Sequence, residues 1–460
     1  MQEDNAPVWL PRLTVQGGPR FLQIADALQA AMENGSLTPG DRLPPQRQLA
    51  AQLDVDLTTI TRAYDEARRR HLLEGRGARG TYVAAPKVEL TALLDLSMNT
   101  PPPPDGVDFD DLLKQGLSQV LMRADTALLM TYHLGGGSDI DRKAGAQWLT
   151  PMFGTLDAEK VIVCPGAQAA IAASILAWTA PGDVILAEPS SYPGLRTAAA
   201  QFGRRIIAVD ADQLGMVPDM LEHACRQHQP KLIYLNPTLQ NPTAITMPQH
   251  RRQELVRIAK RCHVRIVEDD PYWLLADAPP PPIATLAPEQ VVYISTLSKC
   301  LTPGLRVAFV LIRDPHEREC FLTALRSFAL MVAPLTAALA TQWVLDGSAA
   351  RLMEGVRTEA RLRHRMARDL LAGRYSGAGD GLHVWLELPG YWKSSQLAHA
   401  ADSEGIAVTP AEAFATDAAS IDSVNAIRIS LGSIKDRERL KAGLQRLSLL
   451  LARRPESSAQ

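Results

Sequence analysis

Five short β-branched runs, Val161–Cys164, Val184–Ala187, Lys231–Leu235, Val264–Val267 and Val291–Ile294, alternate with longer stretches of helical character. A strand that is apolar along its whole length must be covered on both faces. Successive strands of that kind joined through helices pair in parallel. The pattern predicts an α/β fold with a mostly parallel sheet and helices on both faces.

At 460 residues the chain exceeds one ordinary core, and it breaks at Ala84–Asp105. This stretch carries Pro86 and then Pro101–Pro104, whose fixed φ and missing donors keep the backbone extended. The boundaries expected are a first domain at 1–85, a linker at 86–97 and a second domain at 98–460. The most apolar long stretches, around Ala169–Ala180 and Leu330–Leu345, are short or interrupted by Pro334, Thr336 and Gln342. A membrane span needs about 20 apolar residues, so no membrane partner is expected. Five scattered cysteines without a CxxC pair predict neither a disulfide framework nor structural zinc, and no metal site. With an acidic, proline-bearing start that lacks a secretory pattern, the expected location is the reducing cytoplasm. A net charge of -2 neither favours nor excludes nucleic acid.

In the first domain, Phe21, Ile24, Leu28, Ala31 and Met32 share one helical face, and Gly35 marks its stop. Leu43-Pro44-Pro45 opens a second helix with Leu49 and Leu53 inward. Asp56 is expected to cap a third through its carboxylate. There Ile60, Tyr64 and Ala67 face the core, which turns Thr58, Thr61, Arg62 and Asp65 outward. Two short strands then flank a Gly/Arg-rich tip, Gly75–Gly80, as a wing. Two helices, a turn and a polar-faced third helix suit the major groove, with Arg76 and Arg79 along phosphates. Ten arginines balance ten acids up to Pro86, so a small helical domain with solvated arginines is the plain alternative. The ordered strings PGDRLPPQRQLA, TTITRAY and RGTYV resemble the GntR-type winged helix-turn-helix. That resemblance implies DNA contacts at Arg47, Thr58, Arg62, Arg79 and Gly80. Leu57 and His71 depart from the family's usual residues.

In the second domain, Val291–Arg306 reads as a buried strand that ends in hydroxyls, then Lys299, then Pro303-Gly304 and an arginine. A lysine just beyond a strand end can be partly desolvated, which lowers its pKa and frees the amine for Schiff-base chemistry; a surface lysine after a strand is the plain alternative. Thr296, Ser298 and Arg306 offer a phosphate two hydroxyls and a guanidinium. A second strand ends in Glu268-Asp269-Asp270 followed by Tyr272; Asp269 suits a ring nitrogen and Asp270 equally suits a helix cap. Asn241 lies in a Pro-punctuated loop, and Gly166 precedes a helix whose free amides would cradle phosphate. Each string alone also fits an ordinary turn.

In this order the strings resemble the fold-type I aminotransferases, whose PLP-dependent transferase fold adds a smaller C-terminal α/β subdomain. The resemblance implies pyridoxal 5′-phosphate (PLP) as cofactor, with Lys299 as its Schiff-base residue and Asp269 at the pyridine nitrogen. It implies Asn241 and Tyr272 at the ring hydroxyl, and Tyr192 stacked on the ring. Gly166, Ala167, Gln168, Thr296, Ser298 and Arg306 would hold phosphate, with Tyr132 reaching a neighbouring subunit's phosphate. Arg428 resembles the arginine that grips a substrate carboxylate, with an exposed strand-end residue as its plain alternative. Ala244 and Ala411 stand where glycine is usual, and GGGSDIDR follows the family pattern only loosely.

The two resemblances joined are the arrangement of the MocR subfamily of GntR-type regulators. They imply a homodimer, head-to-tail through the aminotransferase-like domain, that binds double-stranded promoter DNA. Its effector would be PLP or an amino compound forming an aldimine with it. An active aminotransferase with an accessory N-terminal domain is the second reading.

Overall fold

A computed structural model describes residues 9–11, 13–14, 18–70, 72–75, 80–84, 94–123, 125–371, 375–376, 379–417, 420 and 424–454. The chain divides into two compact units, Met1–Ala92 and Leu93–Gln460.

The first unit is three helices and a hairpin. Helix α1 (Arg20–Glu33) buries Ile24, Leu28 and Ala31, and it ends where Gly35 turns to φ +78°. Helix α2 (Gln46–Leu53) begins directly after Pro45, whose fixed φ suits a helix entry. Helix α3 (Leu57–Arg69) buries Ile60, Ala63, Tyr64 and Ala67. The Tyr64 hydroxyl donates to the Pro44 carbonyl at 2.9 Å, which ties α3 to the turn before α2. Asp56 precedes α3, but its carboxylate accepts nothing from the first turn, contrary to expectation. Its backbone carbonyl takes the Thr59 amide instead, at 2.9 Å. Strands β1 (Leu73–Gly75) and β2 (Thr81–Val83) pair antiparallel, with Leu73 opposite Val83. The wing tip with Arg76 and Arg79, and also His71, lies outside the described residues.

A seven-stranded sheet centres the second unit. Edge to edge it runs Val161–Cys164, Ala308–Leu311, Val291–Thr296, Arg265–Asp269, Leu232–Leu235, Val184–Ala187 and Arg205–Ala208. All pairings are parallel except the two made by Ala308–Leu311, which is antiparallel to both its neighbours. Side chains alternate between two separate cores: Ile162 and Cys164 pack on one face and Val161 and Val163 on the other. Helices Ala167–Trp178 and Pro315–Arg326 cover the first face, and Gln249–Cys262 covers the second.

A smaller sheet orders Tyr375–Ser376, His383–Glu387, Ala426–Ser430 and Thr409–Pro410 antiparallel. Leu94–Asp95, at the far end of the expected 86–97 linker, pairs instead with Ile406–Ala407. Leu94 and Leu96 are buried in this subdomain's core, so the linker's last residues belong to the second unit. Their apolar side chains have somewhere to go. Among the described residues no helix is long and apolar enough to cross a membrane.

Candidate functional site

The candidate site lies at the carboxyl ends of the parallel strands, where open α/β sheets form their crevices. Strand Val291–Thr296 passes into a short helix, Leu297–Cys300, that carries Lys299. The Lys299 amine donates to the backbone carbonyl of Asn99 at 2.6 Å. Burial, helped by the nearby Arg428 and Arg306 charges and opposed by Asp269, pushes its pKa down to about 8. Thr296 and Ser298 are buried and their hydroxyls lie 3.1 Å apart. Arg306, in the left-handed region at φ +51°, reaches toward Gly166. Any Cβ at Gly166 (φ +87°) would stand 2.7 Å from that guanidinium. Only glycine leaves the approach open. Behind it begins helix Ala167–Trp178, whose first-turn amides lack intrahelical acceptors. Two hydroxyls, a guanidinium and these amides are donors of the kind that an anion accepts from. The side-chain NH2 of Gln168 is committed to the Gly194 carbonyl at 2.9 Å, so its contribution to these donors is its backbone amide.

Asp269, at the end of its strand, is buried, and burial raises its pKa to about 6 against the pull of Tyr234 and Lys299. Tyr234 donates to Asp269 Oδ2 at 2.6 Å, while Oδ1 is buried with no partner. Half of this carboxylate is free to receive a proton-bearing group. Asp270 is no helix cap: it is buried, and the Tyr293 hydroxyl lies 3.4 Å away. Tyr272 is buried, and its hydroxyl accepts from the Asn99 side-chain amide at 2.9 Å. That amide also lies 3.1 Å from His383 Nδ1. His383 Nε2 lies 3.2 Å from the Gln240 carbonyl, which can only accept, so Nε2 carries the proton and Nδ1 accepts from Asn99. Burial foremost, with Arg428 nearby, pushes the pKa of His383 down to about 3, so the ring is neutral.

Arg428 is buried rather than an exposed strand end. It donates to Asn241 Oδ1 at 2.7 Å and to the Ser97 carbonyl at 2.5 Å, and it lies 4.8 Å from the centre of the Phe414 ring. Its Nε has no partner. Because Arg428 only donates, the Asn241 atom facing it is the oxygen, which leaves that residue's NH2 as donor. Tyr192 precedes helix Pro193–Gln201 and is half-buried near Asp269 and Arg306. Tyr132 stands apart, 71% exposed. Ala244 holds φ +57°, a conformation that glycine adopts without cost. Tyr234, Asn99 and His383 escaped the sequence reading. Tyr234 looks like a core aromatic of its strand, and Asn99 sits beside the prolines of the break.

On the first unit, Arg47, Thr58 and Arg62 are exposed, and Thr58 and Arg62 share the outer face of α3 with Thr61. Arg62 stacks 4.3 Å from the centre of the Phe21 ring, which orients its guanidinium. Gly80 enters β2 at φ +110°, with the Arg42 side chain against it.

The model of aminotransferase class I and II matches residues 92–447, and that of the bacterial regulatory proteins of the gntR family matches residues 21–83. YdeF, an HTH-type transcriptional regulator of Bacillus subtilis, is 30% identical over 459 residues, 97% of this chain and 98% of that protein. The vitamin B6 salvage pathway transcriptional repressor PtsJ of Salmonella typhimurium is 27% identical, over 90% of this chain and 95% of its own. Among solved structures, LysN superposes with a TM-score of 0.70 at 26% identity, covering 79% of this chain and 92% of that one. LysN is the α-aminoadipate aminotransferase of Thermus thermophilus, complexed there with N-(5′-phosphopyridoxyl)-L-leucine.

Proposed function

Since the chain belongs to the class I and II aminotransferase family and joins that domain to a gntR-family module, as MocR-type transcriptional regulators do, we propose that it binds promoter DNA as a dimer and responds to PLP or to an amino compound condensing with it. PLP is the cofactor the aminotransferase domain implies. The observation that carries the reading is the pairing of Lys299 with a half-satisfied Asp269 beside donors suited to an anion. A lysine amine, a carboxylate oxygen lacking a partner and a phosphate cradle match the aldehyde, the pyridine nitrogen and the phosphate of one molecule.

In this reading Lys299 holds the cofactor covalently and Asp269 keeps its ring nitrogen protonated. Tyr272 and Asn241 hold the ring hydroxyl, and Tyr192 stacks on the ring. Gly166, Ala167, Gln168, Thr296, Ser298 and Arg306 hold the phosphate, and Arg428 holds a ligand carboxylate. Bound there, PLP supplies an aldehyde for amines and a ring that withdraws electrons. Tyr234→Phe removes a hydrogen bond to a charged acceptor. It should weaken PLP binding about tenfold or more, measured by fluorescence titration. An unchanged affinity would mean that Asp269 does not need Tyr234 to stay ionised.

Dimerisation is supported by an apolar surface. Leu121, Met122, Met130, Tyr132, Ile140 and Leu345 are exposed near a cavity of about 520 Å³ lined by Val120, Leu129 and Pro334. Exposed apolar side chains gathered in these segments suit an association surface, and the exposed Tyr132 among them suits a contact with a second copy. A cytoplasmic location suits a DNA target.

The test is a gel shift on the chain's own upstream region, with and without PLP and candidate amino acids. Arg47→Ala and Arg62→Ala should each weaken binding and lower the slope of log affinity against log salt by about one per lost phosphate contact. Unchanged binding in both variants would remove this face from DNA recognition. Turnover as an aminotransferase is the second reading, favoured by a buried, intact Arg428; steady transamination without salt-sensitive promoter binding would select it.

A further inference from the structure

Asn99 is 7% exposed and joins three residues of the site that lie far from it in the sequence. Its carbonyl accepts the Lys299 amine at 2.6 Å. Its amide NH2 spans Tyr272 Oη at 2.9 Å and His383 Nδ1 at 3.1 Å. Both amide protons are thereby placed, and the orientation of the amide is settled by its partners rather than by its shape. The remaining atom, Oδ1, is buried and has no partner. A buried oxygen without a partner is costly, so a native structure that retains one usually has a use for it. The neutral His383, fixed by the Gln240 carbonyl, supports this arrangement from behind, and its low pKa keeps Nδ1 an acceptor.

Resting on the cofactor-site reading, we infer that Asn99 is a positioning residue of this site: it holds the Lys299 amine through its carbonyl and the Tyr272 hydroxyl through its amide, and it presents Oδ1 to an N–H or O–H donor of the bound ligand. Condensation of the neutral Lys299 amine with an aldehyde forms a C=N bond and releases one water, which removes both amine hydrogens. The Lys299–Asn99 bond is therefore exchanged when Lys299 becomes covalently engaged, and Asn99 registers that exchange directly. The donor that meets Oδ1 belongs to the ligand's own amino or hydroxyl groups. This favours ligands that carry such a donor over ligands of the same outline that carry only an acceptor there.

The experiment uses full-length protein loaded with PLP, with borohydride reduction and mass analysis of the Lys299 peptide as the first readout. Asn99→Ala should still fix the cofactor on Lys299. It should weaken PLP binding about tenfold, the value of one lost hydrogen bond. The midpoint of the pH titration of visible absorption should move by about one unit, because Tyr272 loses its donor. Asn99→Asp is isosteric, but it places a carboxylate among Lys299, Arg428 and Asp269. It should move the Lys299 attachment midpoint to higher pH, because an adjacent anion holds the ammonium form. Should the alanine variant fail to fold, the aspartate variant carries the test. Attachment with unchanged affinity and unchanged midpoints in both variants, which keep the backbone carbonyl, would reduce the Asn99 side chain to packing and overturn the inference. No attachment in the parent protein would instead remove the reading on which it rests.

Discussion

Lys299→Ala should abolish covalent capture of PLP: borohydride fixes a pyridoxyl group on the parent chain and none on the variant. The amine sits where burial and two guanidinium groups lower its pKa to about 8, against a usual value near 10.4. At neutral pH a useful fraction is therefore the nucleophilic free base, which an exposed lysine lacks. Below about pH 8 that fraction falls roughly tenfold per pH unit, so the attachment rate should fall with it. Lys299→Arg keeps a charge but cannot condense, and it should fail in the same way. Both variants keep Asp269 and the phosphate cradle, so they should still bind the cofactor reversibly. Their promoter complexes should no longer respond to PLP as the parent's do. Capture that persists in either variant would place the reactive lysine elsewhere and dismantle the site assignment.

The second large effect is on stability. Arg252→Met should destabilise the aminotransferase-like unit by about 3–5 kcal/mol, the usual result of breaking a buried pair from one side. Arg252 is fully buried, and it donates to the carbonyls of Met247, Pro237 and Pro281 and to the Thr238 hydroxyl. Glu268, equally buried, lies 3.8 Å from it and accepts the amides of Ile283 and Ala284 at 2.8 Å each. Without the guanidinium, Glu268 and Asp270 are left as neighbouring buried acids. Burial already raises the pKa of Glu268 to about 7 and that of Asp270 well above its ordinary value. An acid whose folded pKa is raised binds more protons folded than unfolded, so stability falls as pH rises toward 7 and returns as pH drops toward 5. The variant should show this slope more steeply than the parent in thermal melts at both pH values. Equal melting temperatures for parent and variant at both pH values would mean that Arg252 contributes nothing to holding these acids in the fold.

The sheet was legible because buried parallel strands are written as continuous apolar runs, and the reactive groups because they follow those runs directly. Asp269, Thr296 and Lys299 each lie at or just past a strand end, a position that sequence marks clearly. The groups that hold them were not legible. Asn99 meets Lys299 across 200 residues and Tyr272 across 173, and no local pattern encodes such a meeting. Tyr234 shares its strand with Ile233 and Leu235, so its hydroxyl reads as an incidental feature of an apolar side chain. The proline run drew the linker too far, because Leu94 and Leu96 alone do not reveal the strand Ile406–Ala407 that they join. Asp56 shows the converse failure: the side chain suited the cap, but the backbone carbonyl beside it did the work.

Arg428 holds two neutral oxygens, those of Asn241 and Ser97. These use two of its five N–H donors, and a ligand arriving there meets the others, the unpartnered Nε–H among them. A carboxylate offers charge, and charge-assisted bonds are about twice as strong as neutral ones. An ester or primary amide of the same shape offers only a neutral bond. The arginine thus discriminates by ionisation state, and the two resident oxygens fix which of its N–H groups remain for a ligand's anion.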